Sequence, residues 1–133
     1  MVIVLEELLV WTDAENALLF EALTGLDTIH HDMPATKAVV AWDQAVVLSD
    51  ELRYGPGDIV PWLNNSTFFD KIVRWGMRRR DWRYLLVEYE DTVLLTWFKT
   101  DVEYMPQGQV PFDDECTAAC RLALWAIAAD ERV

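Results

Sequence analysis

The order of apolar and polar positions divides the chain into helical and strand-like stretches. Ala14, Leu18 and Ala22, with Leu19 and Leu23, recur at helical spacing behind Thr12-Asp-Ala-Glu15. That tetrad is a capping box, in which Thr12 caps the helix and Glu15 reaches back to it. Gly25 follows as a left-handed stop. Ahead of this helix, Val2-Ile-Val-Leu5 suits a strand, and Glu6 to Val10 suits a helical turn equally well. Residues 26–37, with Asp27, Asp32 and Pro34, read as a loop. Two patterns compete between Ala38 and Leu48. β-Branching in Val39-Val-Ala-Trp42 and Val46-Val-Leu48 favours a strand pair around Asp43-Gln44, while Ala38, Trp42, Ala45 and Leu52 trace a helical stripe. The strand pair is the expectation. Tyr54-Gly-Pro-Gly-Asp58 is a turn by composition, and Pro61 falls in the loop after it.

Asn64, Asn65 and Ser66 are successive N-cap candidates ahead of Phe68, Phe69, Ile72, Val73 and Trp75. The helix they open either stops at Gly76, leaving Arg78 to Arg80 as a loop, or continues and lines Lys71, Arg74 and Arg78 along one face. Trp82 to Tyr89 and Thr92 to Phe98 are rich in strand formers and flank Glu90-Asp91, a hairpin pattern. Val93 to Phe98 is apolar on both faces and calls for cover on both sides. Residues 101–112, with Pro106, Gly108 and Pro111, read as a loop. Asp113-Asp-Glu115 places acids on a helix N-terminus, where the dipole favours them, and Cys116, Ala119, Cys120, Ala123, Leu124 and Ile127 form the buried stripe behind them. The expected fold is a single α+β domain over residues 1–133. A small antiparallel sheet is covered by helices on both faces, in a three-layer α/β/α sandwich.

Charge sharpens this picture. Residues 71–83 hold six of the eleven bases (Lys71, Arg74, Arg78, Arg79, Arg80 and Arg83) and one acid, Asp81, for a net of +5. The remaining 120 residues carry five bases and twenty-two acids, a net of −17. A total of −12 argues against direct, sequence-independent binding to a nucleic-acid backbone, which depends on Lys and Arg. It suits a protein that meets a basic surface on another protein, and it equally suits plain solubility. The apolar fraction of 53% excludes disorder by composition, and no apolar run reaches the roughly 20 residues that cross a membrane. The N-terminus lacks the positive region of a signal peptide, and two cysteines suit a reducing compartment, so a cytoplasmic location is expected.

The order of signals resembles the phage ABA sandwich domain, a family of small phage and prophage proteins. The resemblance is carried by Thr12-Asp-Ala-Glu-Asn16 through Gly25, Asn65-Ser-Thr67 before Phe68, Trp82 and Trp97 in the hairpin, and Ala119-Cys-Arg-Leu-Ala-Leu124 in the closing helix. It covers about two-thirds of the chain from Thr12 onward, leaving residues 1–11 without a counterpart and segment 28–60 longer than the family pattern. It implies an α/β sandwich and a phage origin, and brings no active site with it.

Candidate chemistry narrows to one cluster. Cys116 and Cys120 sit four apart on a helix and, with His30, His31 and Asp32, would make a zinc site only if adjacent histidines converged; packing is the simpler reading of both thiols. No nucleophile sits on a glycine elbow, and the acids before Cys116 would raise its pKa rather than activate it. Gly55-Pro-Gly57 lacks the spacing and the Lys-Ser/Thr of a phosphate loop. Glu88/Glu90, Asp101/Glu103 and Asp113/Asp114 are carboxylate pairs of the kind an acidic chain contains anyway. No catalytic residue, metal or cofactor is therefore expected. Arg74, Arg78, Arg79, Arg80 and Arg83 beside Trp75 and Trp82 join bidentate donors to aromatic planes, a combination that suits a phosphorylated ligand or a stacked nucleotide base. The competing reading pairs these arginines internally with Asp70, Asp81 and neighbouring carboxylates. Trp11, Trp62 and Trp75, near element ends, are exposure candidates that a partner or an oligomer interface would use. Two binding functions follow. The first is a phage or prophage accessory protein that binds a host protein with a basic surface, inhibiting a defence or nucleic-acid-handling system. The second is capture of a phosphorylated small ligand through the Arg78–Arg83 cluster.

Overall fold

The computed structural model describes residues 6–31, 37–41, 43, 46–47, 53–100 and 105–131. Among them a 3-10 turn at Glu6–Leu9 leads into helix α1, Asp13–Thr24, which opens on the expected capping box. The Thr12 backbone N–H donates to Glu15 Oε1 at 3.2 Å, and the Glu15 backbone N–H donates to Thr12 Oγ1 at 3.3 Å. Gly25 ends α1 at φ +77°, and its N–H closes the last turn on the Glu21 carbonyl.

The stretch expected to be loop at 26–37 holds strand β1, Thr28–His31, paired antiparallel with β2, Lys37–Val40. The strand preference of segment 38–48 is met at β2 and at β3, Val46–Val47, but these strands do not pair with each other: β3 pairs with β4, Arg53–Tyr54. The Gly55–Asp58 turn forms, with the Gly55 N–H donating to Asp58 Oδ2 at 2.7 Å. Val40 and Ala38 exchange backbone bonds with residues 57–60 instead, so the segment beyond the turn competes for β2's free edge and wins it. The expected strand at Val2–Leu5, together with Asp32, Pro34, Trp42, Leu48, Asp101 and Glu103, lies outside the described residues.

Asn65 caps the second helix through its side chain, which accepts from the Thr67 N–H at 3.0 Å. The helix runs as α2, Ser66–Phe68, a π-helical segment Phe69–Arg74, and α3, Trp75–Arg79. It does not stop at Gly76. A Cβ there would lie 2.7 Å from Leu23 Cβ, so the glycine serves the crossing of α3 over α1 rather than a helix end. Termination comes at Asp81, which takes φ +68° while the Trp82 N–H reaches back to the Met77 carbonyl and the Asp81 N–H to Arg78. This is a Schellman closure with aspartate in the usual glycine place.

Strands β5, Arg83–Glu88, and β6, Thr92–Phe98, form the expected hairpin about Glu90-Asp91. The loop expected at 101–112 contains a third strand, β7, Gln107–Pro111, antiparallel to β6. Its glycine lies under the end of the Leu8 side chain, which a Cβ on Gly108 would push aside. Helix α4, Glu115–Glu131, then crosses the inner face of β6 and β7. Its buried positions Ala118, Ala119, Cys120, Leu122, Ala123, Ala126 and Ile127 form a face wider than the expected stripe.

The molecule is an α+β sandwich of helices on antiparallel sheet. Its core joins Phe20, Leu23, Phe69, Ile72, Met77, Trp82, Leu95, Trp97 and Leu122. The inner row of the central strand β6 (Val93, Leu95 and Trp97) is buried, while its outer row runs from buried Thr96 through half-buried Thr92 and Leu94 to exposed Phe98. The described helices pack on the inner face, and the outer row of β5 (Arg83, Leu85 and Val87) is exposed.

Candidate basic groove

Arg74, Trp75, Arg78 and Arg79 line an open groove of about 400 Å³, closed on one side by Asp70. The helix running on through Gly76 is what assembles it, since Asp70, Arg74 and Arg78 follow one another at four-residue intervals across the π segment and α3. A π segment widens the turn and is often found at functional sites. Arg74 and Arg78 also face a second recess of about 90 Å³, whose other walls are Trp82, Arg83, Tyr84 and Trp97. The two concavities thus share a wall of guanidinium groups.

Two of these arginines are held against aromatic faces. The Arg79 guanidinium carbon sits 4.9 Å from the Trp75 ring centroid, and that of Arg74 sits 5.5 Å from the Tyr84 centroid. Contacts of this kind are cation–π contacts, which restrict the guanidinium's position against the ring. Asp70 approaches Arg74 at 3.7 Å, but the side chains are 66% and 44% exposed, so the pair is screened and weak. Among the described residues, carboxylate pairing therefore accounts for one arginine of the groove and only loosely.

The other expected members have different duties. Arg80 turns away and donates from its terminal nitrogen to the Ala22 carbonyl at 3.0 Å, tying α3 to the last turn of α1. Arg83 leans on the Trp82 carbonyl at 3.5 Å and remains exposed. Trp82 is 1% exposed, and its indole N–H donates to Asp130 Oδ2 at 2.8 Å, so it is a core residue and offers no free stacking plane. Trp75 is half-buried, and Trp62 is exposed on the segment ahead of α2. Sequence reasoning overlooked Asp70 as a groove wall; its four-residue spacing to Arg74 was the available signal.

Near the groove, one phenol and two thiols are shifted by their surroundings. Burial and then the Glu115 carboxylate push the Tyr84 phenol well above its ordinary range, and its hydroxyl donates to Glu115 Oε2 at 3.3 Å. Burial, followed by Glu115 and Asp70, pushes the Cys116 thiol up to about 11. Burial raises Cys120 as well, and its Sγ donates to the Leu63 carbonyl at 3.3 Å. Both thiols stay protonated at neutral pH and are poor nucleophiles. Among the described residues no group of three or more His, Cys, Asp and Glu is placed to hold a metal ion, and no helix is long and apolar enough to cross a membrane. His30 and His31 stand in β1, away in the chain from both cysteines. The arrangement brings hydrogen-bond donors, positive charge and ring faces together around the groove.

No protein-family model, no curated protein and no solved structure matches the chain.

Proposed function

We propose that the protein works by binding, and that its ligand carries a phosphate or similar anionic group received by Arg74, Arg78 and Arg79, with a planar or apolar portion against Trp75. The observation that supports this reading is the groove itself: guanidinium forks oriented by aromatic faces beside a concavity large enough for a small ligand. Net charge elsewhere does not oppose it, because the field near the groove is set by the local cluster. Calorimetric titration with ADP and with pyrophosphate tests the reading. Binding to the wild type, weakened about tenfold or more by Arg78→Ala or by Arg79→Ala, is expected, each lost charge-assisted bond being worth about 1.5–3 kcal/mol. Heat of dilution alone with both ligands, or equal binding by the variants, would remove the groove from consideration.

A second reading is favoured by the acids at the far end of the sheet. Glu88, Glu90, Asp91 and Asp113 are exposed around the β5–β6 turn and the approach to α4. In this reading the protein is a phage or prophage accessory factor whose acidic end docks on the basic surface of a host protein and inhibits a defence or nucleic-acid-handling system. Salt-sensitive co-purification of a host protein, lost in a Glu90→Ala, Asp91→Ala variant and kept in Arg78→Ala, separates it from anion capture.

A further inference from the structure

Strand β5 is an edge of its sheet, whose order is β5-β6-β7. The register with β6 and the Tyr89 N–H bond to the Thr92 carbonyl at 2.8 Å fix which backbone groups face inward. Leu85 and Val87 exchange bonds with β6, so the N–H and C=O groups of Tyr84, Leu86 and Glu88 point off the free edge. No described strand pairs with them. Edges of this kind are normally blunted by proline, lysine or a bulge. The opposite edge is: β7 ends at Pro111 and runs into the turn before α4. β5 carries neither proline nor lysine, and beyond Arg83 its outer row is apolar and open, with Leu85 49% and Val87 38% exposed and Tyr89, just past the strand, 51%.

We propose that two copies of this chain pair antiparallel along β5, about a two-fold axis through Leu86, to make one continuous six-stranded sheet. The register follows from the free groups. Placing Leu86 opposite its own copy sets Tyr84 against Glu88 twice, and all the outward N–H and C=O groups of both strands then find partners. On the outer face the same register sets Leu85 against Val87 twice and Arg83 against Tyr89 twice, which are close cross-strand pairs. Charge supports it independently. β5 runs about 17 Å from the arginine end to the acidic turn of Glu88, Glu90 and Asp91, and a two-fold axis lays each basic end beside the partner's acidic one. A parallel pairing would set like charges side by side. The contact is isologous and closes on itself, so it ends at two copies rather than a fibre.

Sedimentation and hydrogen exchange on the full chain test the pairing. The wild type should sediment as a dimer at about 100 μM, a concentration that saturates a micromolar interface, and dissociate on dilution. In the dimer the amides of Tyr84, Leu86 and Glu88 should be protected; in Leu85→Lys, a change at an exposed position, the protein should be a folded monomer with those three amides exchanging at least tenfold faster. The Leu85 and Val87 amides, bonded to β6, should stay protected in both, which verifies the fold of the variant. A monomer at every concentration, a dimer without protection at those three amides, or a dimer that survives Leu85→Lys would each overturn the proposal. None of these outcomes depends on what the basic groove binds.

Discussion

Asn16 shows how much of the fold rests on single polar side chains. It is buried to 2% exposure in the first turn of α1, and every polar atom of its side chain is occupied. Its Oδ1 accepts from the Trp11 indole at 2.9 Å and from the Leu63 N–H at 2.8 Å, while Nδ2 donates to the Pro61 carbonyl at 2.8 Å. The amide thereby fastens the first helix to the segment that leads into the arginine helix. Asn16→Ala strands the Leu63 N–H and the Pro61 carbonyl, and should cost about 2–4 kcal/mol in denaturant unfolding. Binding at the groove should fall only as far as folding does.

The same scale governs the alkaline limit of the protein. Cys116, Cys120, Tyr84 and Tyr54 all have folded pKa values raised chiefly by burial, from 9.0 for the thiols and 10.0 for the phenols. A raised folded pKa means that the unfolded chain releases its proton first as pH climbs. Stability from these groups is therefore complete below about pH 9 and falls as pH rises toward and through the folded values, about 11 for Cys116. Urea midpoints measured from pH 8 to 11 should decline, and Cys116→Ala should make the decline shallower. A flat profile would mean that the four groups titrate alike in both states.

At the scale of elements, the α1–α3 crossing is set by one atom's absence. An alanine at position 76 would improve helix propensity by about 1 kcal/mol, yet its Cβ would press on Leu23 at 2.7 Å. The clash should win, so Gly76→Ala is expected to destabilise by about 1–3 kcal/mol net. Adding Leu23→Gly, which removes the Cβ that the new methyl would meet, should recover part of that loss in a double-mutant cycle, because the two positions share that contact. Loss that is simply additive would place the strain elsewhere.

Elements defined by neighbouring residues were legible in the sequence. The Thr12–Glu15 box, the Gly25 cap, the Asn65 cap and the hairpin at Glu90-Asp91 each depend on groups a few residues apart, and each stands where the pattern placed it. What escaped depends on distant partners. β1 is four residues long, too short for a period, and exists through its pairing with β2. β7 carries a glycine and a terminal proline, loop residues by composition, yet it pairs along β6 with Leu8, a hundred residues away, packed over Gly108. Trp82 resembled a surface ring beside arginines until Asp130, 48 positions on, was found to hold its N–H. Arg80 could not be told from Arg79 by sequence, since the Ala22 carbonyl that takes it comes from α1. Of the expected cluster, Arg74, Trp75, Arg78 and Arg79 share the groove, and Arg83 lines the adjoining recess.

For the molecule as a whole, charge segregated along the chain becomes charge segregated in space. The arginine helix lies at the Arg83 end of β5 and exposed carboxylates crowd the Glu88 end, so the sheet is polar along its strands. A field of that shape concentrates anions at one end and repels them from the other. It gives a chain of net charge −12 a local site that an anion can still reach.

The central claim is that the groove, rather than the arginine content in general, receives the anion. An NMR titration with pyrophosphate at constant ionic strength reads this residue by residue, through arginine Nε–H and indole N–H signals. The account predicts saturable shifts at Arg74, Arg78, Arg79 and the Trp75 indole, with Arg80 and Trp82 still because Arg80 Nη2 is tied to the Ala22 carbonyl, away from the groove, and the Trp82 indole N–H to Asp130. Small, unsaturating shifts spread over all arginines, or a saturable response centred on Arg80 and Trp82, would contradict it.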